Sequence, residues 1–229
     1  VRLNVVVEYE SGARDVIVTD RTWKWGHGEI VYNSVRSGET IDHTKSVHGW
    51  NEPGFCDSLW RNVCHVPAPL GKLTADPMPP MRVVKELKPV GITETGPGVY
   101  LVDFGENLTG WVETRVRGSR GQTVELQFNE VLKADGSLDT QNSTWHTRGR
   151  YQTELLILGG DGEETFEPRF TYHGFRYMQV RGLDYKPAPE DFTAKCVHTD
   201  LQRAGNFSCS MDKLNDLNAA VCRTLLNAV

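Results

Sequence analysis

The sequence predicts an all-β protein built of β-sandwich modules, with a single helix at its carboxyl-terminal end. Three observations predict this. Short segments alternate apolar and polar residues, glycine-containing turn signals separate these segments, and an apolar period typical of a helix occurs near the end of the chain. The 229 residues suffice for one large domain or two small ones, and 38% hydrophobic residues are typical of a globular protein.

The amino-terminal residues predict a β-hairpin. Residues 3–9 alternate in strand fashion, Ser11-Gly12 marks a turn, and residues 16–18 form a second short apolar run. Because the first residues alternate and contain no continuous apolar stretch, they predict a strand rather than a signal peptide. Residues 48–60 are rich in aromatic residues and turn formers, so they predict an irregular loop with short strands.

A proline-rich stretch indicates a domain boundary. Six of the 11 prolines lie between residues 66 and 89. Proline cannot donate a hydrogen bond inside a sheet, so this stretch predicts a linker or an extended edge segment.

The residues after this boundary predict a two-sheet sandwich. Alternation is clearest at residues 112–117 and 124–128, and the glycine-containing residues 118–121 form a turn signal between them. Residues 151–158 and 175–180 predict further strands. Short strands at this spacing, without a helical period between them, are typical of a sandwich.

The final segment predicts an amphipathic helix. Leu214, Leu217, Val221 and Leu225 fall at helical spacing, and Ser210 is predicted to cap the amino-terminal end. This apolar stripe requires a partner. Either it packs on the sandwich or the helix begins a further domain, and the second alternative is favoured.

Composition excludes several classes of partner. The net charge is -5 and the basic residues are scattered, which argues against nucleic acid. No apolar run approaches the roughly 20 residues that cross a bilayer, which argues against a membrane. The five cysteines form neither a C-x-x-C pair nor a zinc-site spacing, so they predict isolated thiols. The compartment stays open between cytoplasmic, periplasmic and secreted.

Candidate catalytic groups are sparse. Glycoside hydrolysis needs two carboxyl groups across a sugar. The acids available in the predicted sandwich are Glu130, Asp135, Asp139, Glu163, Glu164 and Glu167. Each lies in or beside a turn or at a strand end, where a solvated carboxylate is the more usual outcome. His146 and His173 are separated by strand residues, which predicts hydrogen-bonded histidines rather than a metal site.

Residues 32–42 are the most suggestive segment. They combine Asn, Ser, Glu and Asp oxygens in a glycine-containing stretch close to Trp23 and Trp25. Calcium prefers six to eight oxygen ligands, and sugars prefer an aromatic face with amide and carboxylate partners. A plain surface loop is the alternative, and it is the more usual one for this composition.

An aromatic cluster over residues 170–177 has two interpretations. It predicts either core and inter-domain packing or a stacking platform for a sugar ring. Packing is favoured, and the residues predicted to take part are Phe170, Tyr172, His173, Phe175 and Arg176.

Several blocks, in order along nearly the whole chain, resemble the bacterial α-L-rhamnosidases of glycoside hydrolase family 78. Residues 102–111 resemble a "DFGQN-x-x-GW" stretch of that family, and residues 167–177 give the strongest match. Further blocks resemble it at residues 32–34, 38–40, 78–82, 86–89, 116–118, 129–136, 160–164 and 205–210.

The resemblance implies a modular arrangement. Residues 1–66 correspond to part of a jelly-roll domain, 67–82 to a linker, 83–195 to a concanavalin-like β-sandwich, and 196–229 to the link into an (α/α)6 catalytic barrel that is missing here. In this family the barrel hydrolyses terminal α-L-rhamnosyl residues with inversion. The resemblance therefore implies an accessory region that supports the barrel, has no catalytic residues and is inactive alone.

The resemblance also implies an alternative role as a calcium-dependent rhamnose-binding module. Asn33 and Ser34 match the positions that contact calcium and sugar in some relatives, and Glu39 and Trp23 complete the candidate sugar site. The implied ligands are L-rhamnose or rhamnosylated glycans, with calcium as the possible cofactor.

Overall fold

The structure divides into two compact units, each described separately below. It is a computed structural model that describes residues 2–68, 70–72, 74–140 and 149–228. His146 lies outside the described residues. The first unit comprises Val1–Gly28 and Val47–Asp76, and the second comprises Glu29–Ser46 and Pro77–Val229.

The described residues form mostly strands and one α-helix. In chain order these are β1 (Asn4–Glu8), β2 (Arg14–Val18), β3 (Lys24–Trp25), β4 (Ile30–Ser34), β5 (Gly38–Asp42), β6 (Arg61–Asn62), β7 (Met81–Leu87), β8 (Gly91–Gly96), β9 (Val99–Arg117), β10 (Thr123–Asn129), β11 (Thr153–Ile157), β12 (Glu163–Phe166), β13 (His173–Arg181), β14 (Phe192–Thr199) and α1 (Asp212–Leu226). Short 3-10 turns occupy His43–Lys45 and Pro189–Asp191.

The first unit consists of two small antiparallel pairs. β1 pairs with β2, and β3 pairs with β6. The predicted amino-terminal hairpin is therefore confirmed. Its apolar side chains are largely exposed, with Val6 at 55% and Val16 at 62% of their full accessibility.

The second unit is a curled sheet of ten of the described strands, ordered β4-β5-β11-β10-β13-β9-β14-β7, with β8 and β12 also paired to β9. All these pairs are antiparallel except β5 with β11. The 19-residue β9 spans much of the sandwich. Apolar side chains between the layers form one core, whose most deeply buried large members are Phe104, Phe128, Phe166, Phe175, Phe192, Leu126, Leu156, Leu158 and Met178. The all-β prediction is confirmed.

Residues 29–46 form a buried strand and its partner where the composition favoured a loop. The expectation of a surface loop over residues 32–42 was wrong, because β4 and β5 form a hairpin there and β5 is almost entirely buried. Contacts group Glu29–Ser46 with the second unit, because β5 pairs with β11.

The carboxyl-terminal helix forms as predicted, but its cap differs. The residue preceding its first turn is Met211, not Ser210. The side chain of Asn215 stabilises this end instead, since its oxygen accepts from the Cys209 N–H at 2.9 Å and its amide donates to the Cys209 carbonyl at 2.8 Å.

The apolar stripe of α1 does not pack on the sandwich. Its four side chains keep 43% to 60% of their accessibility, and they are Leu214, Leu217, Val221 and Leu225. Contact with the sandwich comes from the end of the helix, where the Thr109 hydroxyl donates to the Asn227 carbonyl at 2.9 Å. Among the described helices none has the length and apolar character to span a membrane.

Candidate functional site

The predicted sugar and metal residues fall into different environments. Asn33 is exposed on β4, and Ser34, at the end of that strand, is half-buried. Glu39 is fully buried on β5. Trp23 belongs to the first unit, where its indole N–H donates to the Val18 carbonyl at 3.0 Å.

Glu39 fastens β5 to a turn that precedes β13. Its carboxylate accepts backbone N–H bonds from Arg169 at 3.2 Å and Phe170 at 2.5 Å. Its own N–H donates to the Glu154 carboxylate at 2.5 Å. Burial raises the pKa of Glu39, and the charge of Glu154 adds to that rise, while the two N–H bonds oppose it. Glu39 is therefore a structural anchor whose oxygens are already hydrogen-bonded.

Glu154 continues this network to His173. The Nε2 atom of His173 lies 2.5 Å from Glu154 Oε1, and the imidazole stacks on Phe128 with ring centres 4.7 Å apart. Both side chains are almost completely buried. His173 Nδ1 is buried and has no hydrogen-bond partner among the described residues. This histidine is thus part of the core.

Arg150 completes the network from the residues before β11. Its guanidinium donates to the Thr40 hydroxyl at 2.7 Å and to the carbonyls of Ser37 at 3.1 Å and Thr153 at 2.7 Å. It also donates to the Glu39 carbonyl. Burial lowers the pKa of Arg150. Sequence reasoning missed Arg150 and Glu154, although an acidic residue inside the apolar run 151–158 was a usable signal.

A third buried glutamate, Glu164, holds the segment after β5. Glu164 accepts N–H bonds from Gly159 at 2.8 Å and Gly160 at 2.9 Å, and it lies 2.8 Å from His43 Nδ1. The His43 ring stacks on Phe166 with centres 3.8 Å apart. Burial raises the pKa of Glu164, but these three hydrogen bonds outweigh it and leave the pKa below its ordinary value.

The predicted inter-domain packing residues separate into three groups. Phe170 and Tyr172 are exposed, at 61% and 45%. His173 and Phe175 are buried inside the sandwich itself and have no surface to offer another domain. Arg176 binds both carboxylate oxygens of Asp103, at 2.8 and 2.9 Å, which lowers the pKa of that aspartate.

Two cavities in the described part of the chain each lack a facing pair of the candidate acids. A cavity of 570 Å³ between α1 and the sandwich has Glu106 as the carboxyl group in its lining. Another, of 440 Å³, has Glu125. Among the predicted candidates, Glu164 is occupied as described, Glu167 accepts from Trp111 and pairs with Lys195, and Asp135 binds Ser137 within its turn. Neither cavity brings together the two carboxyl groups that glycoside hydrolysis requires.

The side chains at Asn33 and Ser34 supply neutral oxygens, whereas calcium usually takes several carboxylate ligands. Neither Asn33 nor Ser34 carries a charge, and the Ser34 hydroxyl oxygen already accepts from the Ser37 N–H at 3.4 Å. The adjacent carboxylate, Glu39, is buried and hydrogen-bonded. Across the described ranges no group of three or more His, Cys, Asp or Glu side chains is placed to hold a metal ion.

Comparison with family models gives two matches. The bacterial alpha-L-rhamnosidase concanavalin-like domain matches residues 93–198, and the alpha-L-rhamnosidase N-terminal domain matches residues 1–85.

Individual relatives of the chain belong to the same family as the two matching models. An alpha-L-rhamnosidase of Streptomyces avermitilis is 38% identical over 94% of the chain, and one of Formosa agariphila is 32% identical over 95%. The chain spans 21% and 23% of their lengths. Among solved structures, alpha-L-rhamnosidase from Dictyoglumus thermophilum superposes with a TM-score of 0.93 at 37% identity, covering 99% of the chain and 25% of that protein. The Streptomyces avermitilis enzyme complexed with L-rhamnose gives 0.91 at 36% identity, covering 98% and 22%.

Proposed function

Since the chain belongs to the α-L-rhamnosidase family as its N-terminal and concanavalin-like domains, we propose that it is the non-catalytic accessory region of such an enzyme. The enzyme of which it is proposed to be part hydrolyses terminal α-L-rhamnosyl residues by an inverting mechanism, with the chemistry in a separate catalytic domain. The relatives support this proposal, because the chain matches only 21% to 25% of their lengths.

The state of the buried carboxylates carries the proposal. An inverting glycosidase holds two carboxyl groups roughly 6.5–9.5 Å apart on either side of an open sugar site. Here Glu39, Glu154 and Glu164 are buried among backbone N–H groups and histidines. They hold strands together, and among the described residues no open sugar site lies between them.

The exposed stripe of α1 supports a scaffolding role. Four adjacent apolar side chains on one face are exposed. An apolar helix face of this kind is stabilised by packing against another surface. We propose that the face formed by Leu214, Leu217, Val221 and Leu225 packs on the catalytic domain of the enzyme.

A hydrolysis assay tests the non-catalytic role. The purified chain, at increasing concentration, is incubated with an aryl α-L-rhamnoside, with the complete enzyme as positive control. We expect release of the aryl group by the complete enzyme alone. Turnover that rises in proportion to the concentration of the chain would overturn the proposal.

The scaffolding role is tested in the complete enzyme. Replacing Leu217 and Val221 with aspartate places two charges on the proposed contact face, so we expect a lower melting temperature of the catalytic domain. Asp216→Asn, on the same helix outside the stripe, is the matched control. Equal melting temperatures for the two variants would exclude the contact.

Rhamnose binding is a second candidate, favoured by the similarity to the Streptomyces avermitilis enzyme that was solved with L-rhamnose. Asn33 is exposed and available for a sugar hydroxyl. Calorimetric titration of L-rhamnose, first with calcium and then with chelator, tests it. Heat that disappears in Asn33→Ala supports binding at this position, and heat that disappears with chelator adds the metal. Absence of heat leaves the scaffold alone.

A further inference from the structure

The hairpin β4–β5 crosses the boundary between the two domains of the sequence. The match to the N-terminal domain covers residues 1–85, which includes this hairpin, whereas the match to the concanavalin-like domain starts at residue 93. In the structure, however, Glu29–Ser46 groups with the second unit, while the chain on both sides of it belongs to the first. The sandwich thus completes its sheet with a strand from the sequence of the other domain.

Of the two strands of the hairpin, β5 is the one buried in the sandwich. In β5, four of five residues are buried, whereas β4 is mostly exposed and forms the outer edge of the sheet. β5 pairs in parallel with β11 at Thr40, Ile41 and Asp42. An extended strand added to a sheet edge, with buried side chains at chosen positions, is a known mode of peptide recognition.

Two adjacent positions of β5 give this recognition its specificity. Gly38 has a φ of +93°, and a Cβ atom there would lie 2.2 Å from the Thr153 carbonyl oxygen, so a side chain is excluded. Glu39 then places its carboxylate on the N–H groups of Arg169 and Phe170. If the strand left, these two donors would lose their acceptor. The site therefore fits a glycine followed by a side chain whose oxygens accept two backbone N–H bonds.

The remaining contacts also converge on this strand. Glu154 accepts the Glu39 N–H, and the Arg150 guanidinium spans from Ser37 to Thr40. Ile41, at 3% accessibility, joins the apolar core. Backbone, polar and apolar contacts on one short strand together form a complete binding site.

We propose that the sandwich contains a strand-binding site, formed by β11, Arg150, Glu154 and the 169–170 turn, whose ligand is the strand Gly38–Asp42. Non-covalent contacts then hold the hairpin on the sandwich, and they keep it bound after the chain is cut on either side of it. They hold residues 29–46, which the N-terminal domain match also covers, on the sandwich. This inference does not depend on the activity proposed for the complete enzyme.

Cutting the chain on both sides of the hairpin tests the proposal on the full-length protein. Protease sites are introduced at the exposed residues 27–28 and 48–49, and the folded protein is cleaved and separated by gel filtration. We expect the peptide that contains residues 29–46 to remain with the fragment that contains the sandwich until denaturant is added. Release of this peptide on cleavage would overturn the proposal.

Variants in the same cleavable protein show whether the retention is specific. Glu39→Ala removes the acceptor of two buried N–H groups, so we expect the peptide to dissociate on the order of tenfold to a hundredfold faster. Val31→Thr, on the exposed β4, is the matched control and should dissociate at the unmodified rate.

A third variant, Arg150→Lys, tests the site even if Glu39→Ala does not fold. Arg150→Lys keeps the charge but loses the guanidinium fork that contacts several acceptors, so it should also speed dissociation. If the foldable variants of Glu39 and Arg150 release the peptide no faster than Val31→Thr, the site is not the one proposed.

Discussion

Two buried glutamates of the sandwich, Glu39 and Glu164, accept the same number of backbone N–H bonds but differ in their affinity for a proton. Glu39 binds the N–H groups of a turn across from its strand, and Glu164 binds those of Gly159 and Gly160. The pKa of Glu39 is raised, largely by burial, whereas hydrogen bonds outweigh burial at Glu164 and lower its pKa.

The two pKa values shift in opposite directions because the glutamates differ in burial and in the titratable residue beside them. Glu39 is at 0% accessibility and lies near a second carboxylate, Glu154. Glu164 is at 9% and has His43 as a third partner. Counting hydrogen bonds is therefore not enough to predict ionisation. The loss of hydration on burial is the largest influence on the pKa of both glutamates, and the charge of the titratable neighbour adds to it at Glu39 and opposes it at Glu164.

The largest expected loss of unfolding free energy comes from substituting alanine for a glycine near one of these two glutamates. Gly38 and Gly162 both have positive φ, +93° and +96°. A Cβ atom at Gly38 would collide with the Thr153 carbonyl, whereas none of the described atoms lies within 4 Å of one at Gly162. We expect Gly162→Ala to cost about 1–2 kcal/mol of unfolding free energy. Gly38→Ala should cost several kcal/mol more, on the order of the 4–5 kcal/mol of exceptional substitutions. Urea unfolding measures both, and equal costs would contradict the close approach.

Replacing each glutamate with glutamine is expected to cost less unfolding free energy, and the cost should be larger at Glu164 than at Glu39. Glu164→Gln weakens charge-assisted bonds to two N–H groups and His43, so we expect a loss of roughly 1–3 kcal/mol. Glu39→Gln also removes a buried charge close to Glu154, so its net effect should stay within about 1 kcal/mol. Chemical denaturation at neutral pH measures both, with the exposed Glu163→Gln as control. A larger loss at Glu39 would reverse the comparison.

The pH dependence of these two variants sharpens the comparison. The Glu164 contribution is present above the ordinary pKa of 4.5 and is lost as pH falls through the lowered value. The Glu39 contribution is present below 4.5 and is lost as pH rises through the raised value. The stability advantage of the unmodified protein over Glu164→Gln should therefore grow with pH, and its advantage over Glu39→Gln should shrink. Urea midpoints on both sides of 4.5 test this, and parallel curves would refute it.

The smallest effect is expected on the exposed helix face. Leu217 keeps 58% of its accessibility, so Leu217→Ser in this chain should change the unfolding free energy by no more than about 0.5 kcal/mol. The buried Leu156→Ala, as the contrasting control, should cost roughly 2–5 kcal/mol. A cost at Leu217 close to that at Leu156 would show that the helix face is already packed.

Local patterns were enough to predict the parts of the fold whose signal lies in neighbouring residues. Alternation predicted the β1–β2 hairpin and the sandwich strands, and a helical period predicted α1. The cap of α1 was mispredicted, because the amide of Asn215 reaches back over Cys209. That contact depends on geometry rather than on the identity of the residue before the helix.

The candidate site was harder to predict, because its contacts join distant parts of the sequence. Glutamate is usually an exposed residue type. The burial of Glu39 depends on the N–H groups of Arg169 and Phe170, which donate to its carboxylate. β5 was mistaken for a loop because its partner is a parallel strand far along the chain. The resemblance to a known family matched the Gly38–Glu39 step and implied a sugar contact there. In the structure Glu39 is buried and accepts the N–H groups of Arg169 and Phe170.

Glu39 is synthesised well before the residues that bind it, because they are far apart in the sequence. Glu154 follows it by 115 residues and Phe170 by 131. At a translation rate of about 5–20 residues per second, the ribosome needs roughly 6 to 26 s to make the last of them. Throughout that interval the nascent chain carries β5 without its receptor. A charged side chain such as Glu39 in an unpaired strand opposes its pairing with other strands.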